Sequence, residues 1–328
     1  MTPRLPELNR YLDATPPTPL VPVRLERSGP TIWCKLEFLN PSGSTKDRIA
    51  RFILAKALRR GDVVPGGTVI EASSGSTSIA MALACAQLGL RFIAVMPEGV
   101  SEERGMIIQS YGGAVMLSPR AEGIRGALEV SRALAEEHHG YLPLQFSNPD
   151  NPGAHRYQTA SEVIGQIPGG CVDAVVSGVG TGGTLVGLCR GFADVGCHVT
   201  AFAARPVAGD GLDGVECCSF SGRIPGVMEG LSSIYADFVS ETTRDDLVVL
   251  DIPDGDALDV ARRLIRSGFP VGPSSGLNFL AATLAARRLS EDARIVTVFP
   301  DRMERYYSTE LFRHAPAAAM TAAATVPA

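Results

Sequence analysis

Four short segments carry the side chains that could do chemistry. The first is NPSGSTKDR, residues 40–48, where a β-prone run gives way to a helical one. A lysine at a helix N-terminus faces the positive end of the helix dipole, which disfavours its ammonium form. Lys46 placed there is easier to deprotonate and more nucleophilic towards an aldehyde. A solvated lysine in a turn is the plain alternative, and this segment alone does not exclude it. The second is EASSGSTS, residues 71–78, again a strand running into a helix. Its hydroxyls and backbone N–H groups would converge on a helix N-terminus, a ready site for a carboxylate or phosphate. A serine-rich N-cap loop is the equal alternative. The third, SGVGTGGT at 177–184, has glycines at 178, 180 and 183 and so fits G-x-G-x-x-G. A dinucleotide site would need an acidic residue after the next strand, and that strand ends in Ala203-Ala204-Arg205. Thr181 and Thr184 add hydroxyls that suit a phosphate monoester, the preferred reading. The fourth, VGPSSG at 271–276, by itself says only that the chain turns.

The elements that must position these segments alternate along the chain. β-prone runs are expected at 31–36, 68–71, 91–96, 114–117, 174–177, 199–203, 247–250 and 294–299. Helical spacing covers 47–59, 77–88, 101–111, 184–192, 255–267 and 276–286. Short strands alternating with helices predict an α/β fold of parallel-rich sheets covered by helices, with ligands at the carboxyl ends of the strands. The 328 residues suggest two domains, read as 1–145 and 146–314, with a low-complexity tail at 315–328.

The composition narrows the function. A formal net charge of −5 offers no electrostatic attraction to nucleic acid or an anionic membrane. No apolar run approaches a membrane span, and the N-terminus lacks the apolar core of a signal peptide, so a cytoplasmic location is expected. Seven cysteines without a C-x-x-C pair argue against a disulfide framework and a zinc ribbon. Most read as small buried hydrophobes, and Cys217–Cys218 as two loop thiols rather than a redox site. The five histidines show no metal-binding spacing, so no metal is expected.

The order and spacing of the motifs say more than each does alone. TPLVPV, KLEFLNPSGSTKDR, EASSGST, VMPEGVSEER, YGGAV, QFSNPDNPGAH, GVGTGGT, VGPSSG and FPDRMERYYST follow one another from Thr18 to about Phe312. This series resembles the cysteine synthase and cystathionine β-synthase family of pyridoxal 5'-phosphate enzymes. The resemblance implies a fold type II enzyme with the cofactor in a cleft between two α/β domains. It implies that Lys46 holds the cofactor as a Schiff base and then serves as the general base. Gly180, Thr181, Gly182, Gly183 and Thr184 would cradle the cofactor phosphate, and Ser274 would face the pyridine nitrogen. Ser73, Ser74, Thr77 and Gln145 would bind the substrate carboxylate, with Gly226 and Met228 lining the pocket.

The sequence departs from the family pattern in three places. The family loop reads TSGNTG, with an asparagine at the cofactor's ring oxygen; here Ser76 takes that place and its cofactor contact. Met228 and Glu229 replace small residues in the pocket stretch. VGPSSGLN replaces the usual GISSGA. SSGST and VGPS-x-G-x-N are similar to a cysteine desulfhydrase branch. The first expectation is therefore β-replacement on an O-activated serine, giving cysteine or a related β-substituted alanine. The second is cysteine desulfhydrase, releasing sulfide, pyruvate and ammonia. The third is a catalytically silent binding relative, against which the retained lysine and glycine loop argue. The expected partners are a small amino acid, a small nucleophile, a second copy in a homodimer, and serine acetyltransferase.

Overall fold

The computed structural model describes residues 15–208, 223–224, 226–227 and 230–313. The Cys217–Cys218 pair, Met228, Glu229 and the 315–328 tail lie outside the described residues. In chain order the strands are β1 (Leu20–Val23), β2 (Ile32–Lys35), β3 (Thr68–Ala72), β4 (Arg91–Pro97), β5 (Ala114–Ser118), β6 (Ala174–Gly178), β7 (Thr200–Val207), β8 (Leu247–Pro253) and β9 (Ile295–Val298). The helices are α1 (Lys46–Arg60), α2 (Ser76–Leu88), α3 (Glu102–Ser110), α4 (Gly123–His138), α5 (Asp150–Ala154), α6 (Ala160–Gln166), α7 (Gly183–Asp194), α8 (Ser233–Glu241), α9 (Asp254–Arg266), α10 (Pro273–Ala286) and α11 (Glu310–Arg313). A π-helical turn, His155–Thr159, joins α5 to α6.

The strands form two sheets. The smaller is parallel, in order β3-β4-β5; the larger runs β1-β2-β9-β6-β7-β8. In the larger sheet β1 is antiparallel to β2, and the other pairs are parallel. The central parallel strands are buried on both faces, so β6 reads as the continuous apolar run Ala174, Val175, Val176, all fully buried, whereas the edge strands β5 and β8 are partly exposed. The sheets do not divide the chain at residue 145. β1 and β2 join the larger sheet, because β2 pairs with β9 in the register Ile32↔Ile295.

A buried ion network fixes α1 against the larger sheet. Arg48 Nε donates to Glu37 Oε2 at 2.7 Å, and its Nη1 reaches Glu162 Oε1 at 2.6 Å. Lys35 Nζ meets Glu162 Oε2 at 2.8 Å. Burial would raise the Glu37 carboxyl, but Arg48 outweighs it and holds the group at about 2. Removing one partner would leave an uncompensated buried charge, so the network specifies one seating for the helix that begins at Lys46.

One cysteine expectation is corrected. Cys171 and Cys197 form a disulfide with a Cα–Cα distance of 5.8 Å. The cause is sheet register: Ala174 pairs with Thr200, and each cysteine lies three residues before its member of that pair. Cys34, Cys85 and Cys189 are free and buried, as small hydrophobes are.

Candidate active site

Four helices begin at one cleft. Lys46 opens α1, Ser76 opens α2, Gly183 opens α7 and Pro273 opens α10, and residues at all four starts line the same cavity. Each start turns the positive end of a helix dipole towards the cleft, which favours anions there. Lys46, Ser73, Ser74, Ser76, Thr77, Gln145, Gly180, Thr181, Gly182, Gly183, Thr184, Gly226 and Ser274 all line it. The four segments picked out by their chemistry are therefore brought together.

Lys46 is partly buried. Withdrawal from water lowers its amine below the ordinary lysine value, and the negative charge of Asp301 opposes that shift. The turn before Lys46 is tied by Asp47, whose Oδ1 accepts from Ser42 N at 2.9 Å and whose Oδ2 accepts from Ser44 N at 3.4 Å.

The glycine loop after β6 is packed too closely for side chains. A Cβ on Gly180 would lie 2.1 Å from Gly226 O, and one on Gly183 would lie 1.9 Å from Asn151 Oδ1. Gly182 has φ +78°, and a Cβ there would sit 2.8 Å from Tyr235 Cβ. Thr181 Oγ1 accepts from Asn151 Nδ2 at 2.9 Å and from Gly183 N at 3.3 Å. Thr184 Oγ1 lies 3.3 Å from His155 Nε2, and the other ring nitrogen lies 3.0 Å from Thr159 Oγ1. Burial, then the charge of Lys46, lowers His155 to about 3, so its ring is neutral at physiological pH. Asn278 braces the loop's strand, accepting from Gly178 N at 2.7 Å and donating to Val298 O at 2.9 Å.

In the second segment much of the hydroxyl capacity is already used. Ser73 Oγ accepts from Gly75 N and Ser78 N, both at 3.1 Å. Thr77 Oγ1 donates to Gln145 Oε1 at 2.6 Å, and Gln145 Nε2 donates to Ala72 O at 2.9 Å. Arg104 Nη1 donates to Ser74 O at 2.5 Å. The Arg104 side chain lies across Gly75, where a Cβ would be 2.3 Å from its Cδ. Ser76 Oγ donates to Asp301 Oδ2 at 3.1 Å and accepts from Arg305 Nη1 at 3.0 Å.

Sequence reasoning missed Asn151, His155, Asn278, Arg104, Asp301, Arg305 and Tyr306 as site residues. All lie in segments that carry the family likeness, Asn278 as the last residue of VGPSSGLN. None has a local pattern that marks a role.

A phosphate-bearing aldehyde fits these residues. The glycine cradle leaves room only for backbone at the start of α7, and the lysine amine faces the same cleft. Two hydroxyls at neighbouring helix starts, Thr45 Oγ1 and Ser275 Oγ, are buried without a partner. Residues 11–301 match the family described as pyridoxal-phosphate dependent enzyme. The chain belongs to that family. Among its relatives is a cysteine synthase of Staphylococcus aureus, 35% identical over 300 residues, covering 90% of this chain and 94% of the relative. A hydrogen sulfide-producing enzyme from Fusobacterium nucleatum has a similar structure, at TM-score 0.81 and 33% identity, over 94% of this chain and 92% of that one. So does an O-acetylserine dependent cystathionine β-synthase from Helicobacter pylori, at TM-score 0.80 and 33% identity, over 92% and 97%. The pyridoxal-phosphate enzyme reading thus rests on site geometry and on likeness along nearly the whole chain. Among the described residues, no helix is long and apolar enough to cross a membrane.

Proposed function

We propose that this protein catalyses β-replacement on an O-activated serine, giving cysteine or a related β-substituted alanine. The observation that carries the reading is Lys46 at the first position of α1, sharing one cleft with the side-chain-free loop at the start of α7. When bound, pyridoxal 5'-phosphate supplies an electron sink that lets a substrate lose its α-proton and then its β-substituent. Lys46 would hold the cofactor, then take the α-proton and return it. The glycine loop 180–184 would hold the phosphate and Ser274 the ring nitrogen. Ser74, Thr77 and Gln145 would present the start of α2 to the substrate carboxylate, with Ser73 shaping that loop from within. Gly226 would line the pocket beside them.

The second reading, cysteine desulfhydrase, is favoured by the SSGST and VGPSSGLN variants and by the likeness to the hydrogen sulfide-producing enzyme. The two reactions share the elimination half and differ in what the pocket does next. A synthase keeps the three-carbon fragment until a nucleophile arrives, whereas a desulfhydrase lets it hydrolyse. Purified enzyme given O-acetylserine and sulfide should release cysteine over many turnovers. Sulfide and pyruvate from cysteine alone, with no cysteine formed from O-acetylserine, would replace the first reading by the second. A homodimer, a cytoplasmic location and serine acetyltransferase as a partner belong to the same proposal. Light scattering and pull-down with the acetyltransferase test the assembly.

A further inference from the structure

Asp301 is the sole carboxylate lining the cleft among the described residues. It follows β9, and its backbone bridges to Ser44 while Pro300 O accepts from Thr45 N at 2.8 Å. Lys46 and Asp301 therefore hang from two paired segments. Asp301 is 5% exposed. Its Oδ2 accepts from Tyr306 Oη at 2.7 Å and from Ser76 Oγ at 3.1 Å. Its Oδ1 is buried with no hydrogen-bond partner.

The other groups around Lys46 push one way. The four helix starts are positive, His155 is neutral, and withdrawal from water disfavours an ammonium ion. Arg104 lies over the Tyr306 ring and Arg305 donates to Ser76, and both are cationic. Among the described residues, Asp301 alone favours a proton on the lysine. An amine that takes a proton from substrate and later returns it needs both influences.

We propose that Asp301 is a positioning residue for Lys46, its fixed carboxylate being the counter-charge against which the lysine nitrogen holds and releases its proton. Ser76 and Tyr306 aim that carboxylate, so the Ser76 hydroxyl serves Asp301 rather than the cofactor ring. The inference rests on the reading of Lys46 as the cofactor lysine, and one experiment separates the two.

Wild type, Asp301→Asn and Ser76→Ala are loaded with pyridoxal 5'-phosphate, and the visible absorption is titrated with pH. Asp301→Asn should keep the visible band, with its titration midpoint lowered by about one pH unit or more. The acid limb of kcat, which reports the lysine once substrate is bound, should move the same way. Ser76→Ala keeps the charge and should titrate close to wild type. An Asp301→Asn midpoint equal to wild type overturns the proposal. If the asparagine variant fails to load, Asp301→Ser, smaller and still able to accept from both hydroxyls, carries the same test. Failure of both to load beside a normal Ser76→Ala would make Asp301 a folding residue and also overturn it. A wild-type enzyme with no visible band would overturn the Lys46 reading itself.

Discussion

The amide oxygen of Asn151 lies 1.9 Å from the point that a Cβ on Gly183 would occupy. Asn151 also donates to Thr181 Oγ1 and to Gln145 O, so one fully buried side chain braces both the glycine loop and the segment carrying Gln145. The start of α7 is thereby held as bare backbone, the form in which N–H groups approach a phosphate most closely.

Gly182→Leu tests that arrangement. The backbone there is left-handed and a side chain would meet Tyr235. Affinity for pyridoxal 5'-phosphate should fall at least about tenfold, equivalent to ~1.4 kcal/mol. Equilibrium dialysis that finds wild-type affinity would remove the loop from the phosphate site.

Lys46→Ala should fold and lose the visible absorption of the bound cofactor. Turnover should fall by about 10²–10⁴-fold, the usual loss when a positioned acid–base group is removed. Steady-state kinetics at the wild-type rate would assign the chemistry to another residue.

Ser274→Asp should place a carboxylate at the ring nitrogen and strengthen the electron sink. Transamination should then rise relative to β-chemistry. Product analysis showing an unchanged ratio would place Ser274 away from the ring.

Glu71 makes stability depend on pH. It is 2% exposed, and burial raises it to about 8, although Gln145 N and Ala72 N favour the charged form. Its folded value lies above its unfolded one, near 4.5. The stabilisation is complete below pH 4.5 and is lost as pH rises through about 8. The slope reaches at most ~1.4 kcal/mol per pH unit. Glu71→Gln should flatten this part of the curve. Denaturant melts at pH 5, 6, 7 and 8 check it, and an equal slope in both proteins would assign the dependence elsewhere.

Much of the site is legible in the sequence because its parts are local. A lysine, a hydroxyl loop and a glycine loop each sit where a strand runs into a helix, and such junctions lie at the carboxyl ends of the parallel strands of both sheets. Asp301 and Ser76 are not legible as a pair, because their contact depends on how the small sheet seats against the turn after β9. The disulfide escapes for a related reason. Cys171 and Cys197 form no short motif and meet only through the β6–β7 register. β1 escapes because Pro22 argues against a strand, yet it occupies an edge, where proline is tolerated. The helix α4 has apolar residues at Ile124, Ala127, Leu134 and Ala135, a spacing open to the same periodicity test.

The pairing of β2 with β9 also bears on how the chain is made. β1 and β2 leave the ribosome well before the parallel neighbour of Ile32, which is Ile295. The small sheet β3-β4-β5 is complete long before that, with its own helices α2, α3 and α4 to cover it. The nascent hairpin therefore waits with one edge unpaired until β9 emerges, a state open to wrong partners. Its brevity, four residues a strand with Pro22 on the outer one, limits what a stray strand can seize.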